Sequence, residues 1–106
     1  MKEPSEAELH ELEDFVEGLY EELDKLAKKS PSADLSYFAT RRVNRALTDA
    51  KTLIGPHDKY AAEISAFVEA GKNPEVRDAV LALREVRQAI GRVERRLGYS
   101  ALQDLF

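Results

Sequence analysis

The sequence predicts an all-α fold: a four-helix bundle-like arrangement with a short C-terminal helical turn, in one domain spanning residues 1–106. Three observations lead there. Apolar residues recur in steps of three and four over long stretches, the spacing that lines one face of a helix. Only five Gly and four Pro are present. Hydrophobic residues at 43% and charged residues at 34% are the proportions of a folded, charge-rich helical protein rather than a disordered tail. A chain of this size buries roughly 65% of the surface that it exposes when unfolded, enough for one core.

The first helix is expected over residues 5–29. Leu9, Leu12, Val16, Leu19, Leu23 and Leu26 form its stripe, widened by Phe15, Tyr20 and Ala27. Ser5 and Glu8 have the spacing of a capping box at its start. Ser30 as cap and Pro31 at the first helical position predict a second helix reaching Ile54. Its buried face reads Leu35, Phe38, Ala39, Val43, Ala46, Leu47, Ala50, Leu53 and Ile54. Gly55-Pro56 stops it, the glycine as a left-handed residue and the proline because it cannot continue the ladder. A third helix of about 14 residues buries Tyr60, Ala61, Ile64, Phe67 and Val68 and ends before Gly71. Asn73-Pro74 opens the fourth, where Val76, Ala79, Leu83, Val86, Ile90, Val93 and Leu97 keep a seven-residue repeat suited to near-parallel or antiparallel packing. Ser100 and Gln103 form a second capping box, expected to dock Leu102, Leu105 and Phe106.

A shift of 43 residues aligns Ala27 with Ala70, Pro31 with Pro74, Arg41 with Arg84, Val43 with Val86 and Ala46 with Ala89, among eight identities in 29 positions. A duplicated αα-hairpin would produce this pattern, as would any two capped amphipathic helices. Repeats alter a fold reading, so both origins are kept open.

Charge is unevenly spread. Residues 1–31 carry four Lys against ten Asp or Glu, whereas residues 32–55 and 72–98 are basic by two and three charges within an overall net of −4. Arg41, Arg42, Arg45, Arg84, Arg92, Arg95 and Arg96 are the candidate nucleic-acid contacts. Tyr37, Arg41, Asn44, Thr48 and Lys51 share one helix face with Arg45 beside them, as a phosphate-tracking surface requires. Three facts weigh against such a surface. Asp49 lies four residues from Arg45, within pairing reach; Arg92, Arg95 and Arg96 offset a helix dipole where they stand; and DNA-binding domains carry a clear positive surplus. Glu8, Glu13 and Glu22 flank the first apolar stripe, facing arginines such as Arg87 and Arg96.

No catalytic, cofactor-binding or metal-ligating residue is assigned. Without cysteine there are no disulfides or thiolate sites, which suits the cytoplasm. "MKEPSEAELHE" lacks a signal peptide's apolar core and no apolar run spans a bilayer. Nucleotide-binding glycine loops and nucleophile elbows are missing. Glu8 and Glu21, the ends of two carboxylate motifs, stand about 19 Å apart along one helix and cannot share an ion. His10 and His57 read as surface residues near helix starts. Few Asn, Gln, Met or Cys among many charges is a balance also seen in heat-adapted proteins. These features point to a non-catalytic interaction or scaffold protein, self-associating through helix faces and most simply a homodimer. The alternatives are an accessory nucleic-acid-binding protein and a Mg²⁺-dependent nucleotide phosphohydrolase.

Overall fold

The computed structural model describes residues 2–67 and 74–99 and is all-α. Its elements are α1 (Glu6–Lys29), α2 (Tyr37–Ile54), a 3-10 turn (Gly55–His57), α3 (Lys59–Ala62) and α4 (Val76–Leu97). Three long helices make the bundle and α3 is a single turn. No helix among the described residues is long and apolar enough to cross a membrane.

The first helix forms as its pattern demands. Glu8 N–H donates to Ser5 Oγ at 3.1 Å and Ser5 N–H to Glu8 Oε1 at 2.9 Å, satisfying two donors that a helix start leaves open. The bond from the Ser5 amide is the main reason that the Glu8 carboxyl titrates below its usual value. Leu9, Leu12, Val16, Leu19 and Leu23 are buried, and Leu26 surfaces as the stripe leaves the core.

α1 runs antiparallel to both long neighbours. His10 against Glu94, Glu17 against Arg87 and Tyr20 against Arg84 set its register with α4, while Glu22 against Arg42 sets that with α2. α2 and α4 are therefore parallel to one another. Their starts are tied together: Leu35 N–H donates to Pro74 O, Val76 N–H to Ala33 O and Arg77 N–H to Pro31 O. This pairing corrects the expected start of α2. Pro31 and the residues after it spend their backbone groups across the chain, Leu35 plugs the core at 1% exposure, and Ser36 caps the helix through a 3.2 Å bond from Ala39 N–H. Ser30 instead ends α1, its N–H donating to Leu26 O. With the helix starting at Tyr37, Phe38 turns outward rather than into the core.

Two further expectations are corrected. Gly55 is right-handed at φ −53° and leads into the 3-10 turn; the left-handed glycine is Gly98, at φ 76°. There Tyr99 N–H reaches Glu94 O and Gly98 N–H reaches Arg95 O, the doubled closure that a left-handed residue permits at a helix end. The third helix stops after Ala62, where Glu63 N–H and Ile64 N–H close onto Tyr60 O and Ala61 O, and it does not resume at Phe67, because Asn44 takes both backbone groups of that residue. Phe67 N–H donates to Asn44 Oδ1 at 2.7 Å, and Asn44 Nδ2 donates to Phe67 O at 2.9 Å. An amide held by α2 cannot also close a helical turn. Asn44→Ala should cost about 1 kcal/mol of stability and speed hydrogen exchange at the Phe67 amide, measurable by denaturation and NMR.

The aligned pairs Val43/Val86 and Ala46/Ala89 are all fully buried, yet the four residues of α3 do not repeat the 24 of α1. Val68 and the Ser100–Gln103 box with its docking residues lie outside the described residues.

Candidate functional site

The two ends of the bundle differ in chemistry. At the end where α1 starts and α4 finishes, charged groups go inside. Glu13 follows Leu9 by four residues and Glu94 follows Ile90 by four, so both helical periods carry a carboxylate onto the buried seam. Glu94 is 1% exposed and Glu13 6%. His10, one turn before Glu13, completes the group, with its side chain 18% exposed. One donor atom from each residue lies within 4.8 Å of the others, and His10 Nε2 stands 4.0 Å from Glu94 Oε2. His10 is thus a seam residue, not the surface group expected from sequence. Glu13 and Glu17 line an open groove of about 360 Å³ together with Arg84, Arg87 and Gln88. Tyr99 Oη closes this end by donating to Pro4 O at 3.1 Å.

A third buried carboxylate, Asp58, stands nearby. Asp58 caps α3, accepting from Ala61 N–H at 3.1 Å, and receives two bonds from the Arg92 guanidinium, at 2.8 and 3.1 Å. The Arg92 bonds hold the Asp58 carboxyl below its ordinary value of 3.8, outweighing a burial that acts the other way. Burial raises the Tyr60 phenol instead.

The opposite end presents apolar surface. Leu26, Tyr37, Phe38 and Leu81 are the exposed large hydrophobic residues among those described, and all lie within about two turns of the end where α1 finishes and α2 and α4 start. Phe38 is the most open, at 76%. Continuing the α1–α2 register by one turn from Glu22 and Arg42 brings Leu26 level with Phe38. The Tyr37 and Phe38 rings meet edge to face at 6.1 Å, and Arg41 lies over the Tyr37 ring at 5.7 Å.

The structure distributes the seven candidate arginines instead of gathering them. Arg92 is held by Asp58, Arg96 donates to His57 O, and Arg84 donates to Tyr20 Oη at 3.5 Å. Arg42 lies 4.0 Å from Glu22, and Arg45 lies 3.8 Å from Asp49 as its spacing predicts. Arg41 keeps its aromatic contact, and Arg95 is exposed beside Gly91. Asn44 leaves the supposed polar face to bind Phe67. The expected partners of the acidic helix change as well: Arg87 pairs with Glu17 and covers the Tyr20 ring at 4.3 Å.

The buried triad was missed in the sequence because Glu13 was read as a flank of its stripe and His10 as a surface residue, while Glu94 was assigned no role. The available signal was a carboxylate at a core period: Glu13 between Leu9 and Val16, Glu94 between Ile90 and Leu97. Comparison with protein-family models, curated proteins and solved structures found no match for this chain.

Proposed function

We propose that this protein is a non-catalytic helical interaction module that self-associates through its apolar end. The observation that carries this reading is the grouping of Leu26, Tyr37, Phe38 and Leu81 at one end of the bundle. Large exposed apolar side chains that share one end of a molecule, with charged groups beside them, favour an interaction surface there. A second copy of the same chain is the occupant that the charges favour. Glu22 and Arg42 are 71% and 59% exposed and lie beside the Leu26–Phe38 level at a loose 4.0 Å. In a two-fold interface each can turn to its opposite in the other copy, since an isologous surface must complement itself. The nucleic-acid alternative has less support, because it needs arginines that are exposed and unpaired, whereas Arg42, Arg45 and Arg92 each face a carboxylate.

Sedimentation equilibrium over a concentration series tests the reading. The parent protein is expected at twice the mass of the chain and Phe38→Asp at the monomer mass. That variant should keep its Tm, because Phe38 is exposed and an aspartate suits the first turn of a helix. Charge reversal adds a second arm: Glu22→Arg and Arg42→Glu each weaken association, and the double variant restores it. A parent protein that stays monomeric throughout, or a Phe38→Asp protein that still dimerises, would sink the proposal.

A further inference from the structure

Independently of the apolar end, we propose that His10, Glu13 and Glu94 form a binding site for a divalent first-row transition-metal ion, of which Zn²⁺ and Co²⁺ are the natural probes. The site joins the first turns of α1 to the last turns of α4. One imidazole and two carboxylates supply three donor atoms, all within 4.8 Å of one another. Three protein ligands with a fourth position left for water is the usual composition of an open zinc site.

The separation suits a shared ion. His10 Nε2 stands 4.0 Å from Glu94 Oε2. Two metal–ligand bonds of about 2.1 Å span up to about 4.2 Å, so this pair already lies within reach of one ion. A tetrahedral site separates its donors by roughly 3.4 Å, somewhat closer than the 4.8 Å within which these three lie, and each glutamate has three torsions through which to approach it.

Burial and donor type agree with this. Glu94 and Glu13 are 1% and 6% exposed, so the cluster is unlike the solvated acidic patches that line many helices. Carboxylate oxygens beside an imidazole nitrogen are a donor set that a divalent ion takes. The imidazole sets the metal class: nitrogen donors suit Zn²⁺, Co²⁺ and Ni²⁺, whereas Mg²⁺ and Ca²⁺ prefer oxygen alone. Access is available through the groove that Glu13 lines, where Arg87 holds Glu17 one turn further along.

Titrating the full chain with Co²⁺ after chelator treatment tests the site. We expect one equivalent bound, with visible d–d absorption, and a Tm that climbs with Co²⁺ or Zn²⁺ concentration but not with Mg²⁺. Glu94→Gln preserves shape while removing charge, and with Glu13→Gln and His10→Ala it should weaken binding on the order of 100-fold. His57→Ala, outside the cluster, should bind as the parent does. Absence of saturable binding at millimolar metal overturns the proposal. So does binding that survives Glu94→Gln and His10→Ala, and so does an equal response to Mg²⁺.

Discussion

Leu83→Ala is expected to lower the unfolding free energy by about 3 kcal/mol, and the Tm by roughly 15 °C, in thermal and urea denaturation. Leu83 is 0% exposed. Its place on α4 follows from the seven-residue repeat, and the register set by Arg84 against Tyr20 brings it level with the Leu19–Leu23 part of the α1 stripe. Truncation removes three carbons' worth of burial and leaves a hole that two long helices cannot both move to fill. Helices held at several levels collapse poorly around a cavity, and Glu17–Arg87 and the Tyr99–Pro4 bond pin this seam on the same side of the gap. A loss under about 1 kcal/mol would mean that the seam repacks, contrary to the packing described. Exposed Leu81, two positions away, gives the contrast: Leu81→Ala should cost only a few tenths of a kcal/mol.

Asp58→Ala is expected to cost about 2 kcal/mol, in two parts. Losing the cap on Ala61 N–H accounts for about 1 kcal/mol. Losing both Arg92 bonds adds a similar amount, moderated because Arg92 is 38% exposed and water replaces much of what it loses. Asp58→Asn keeps the cap and surrenders most of the ion pair, so it should fall about halfway. The same carboxylate gives a pH signature. Its folded pKa is lowered, chiefly by the Arg92 bonds, so the folded state binds the proton less readily than the unfolded chain. The stabilisation is therefore complete above the ordinary value of 3.8 and is lost as pH falls through the lower folded value. Urea unfolding at successive acidic pH values should show the parent losing stability faster than Asp58→Ala. Parallel curves would mean that Asp58 and Arg92 do not pair in solution.

Legibility in the sequence followed whether a signal was local or tertiary. The α1 capping box needed only residues four apart at most, and it forms as read. The stripes of α1 and α4 were readable because their periods run unbroken over more than 20 residues. Ser30-Pro31 carried an equally sound local signal for a helix start, but the backbone bonds to Pro74, Val76 and Arg77 take that segment for the pairing of two helix entrances. Nothing within ten residues of Ser30 announces them. Phe38 was read as core from the same misplaced start, and its exposure at 76% became visible only when the helix was seen to begin at Tyr37. The third helix failed for the same reason, since Asn44 lies 23 residues from the Phe67 it holds. The buried triad was half legible. A histidine and a glutamate three apart can be seen to share a face, but that Glu94 meets them depends on an antiparallel register set 70 residues apart, by Glu17 and Arg87.

The seam between α1 and α4 also bears on how the chain acquires its fold during synthesis. The first helix leaves the ribosome before the others, with Leu9, Leu12, Val16, Leu19 and Leu23 on one side. Their main partner stretch, from Leu83 to Val93, follows some 70 residues later, a delay of several seconds at ordinary elongation rates. Until then α2 alone is available to shield that side, and closing so long a loop carries an entropic cost that local helix pairs avoid. Nascent chains halted before Leu83 should bind hydrophobic-surface chaperones, and those extended beyond Tyr99 by the length of the exit tunnel should release them.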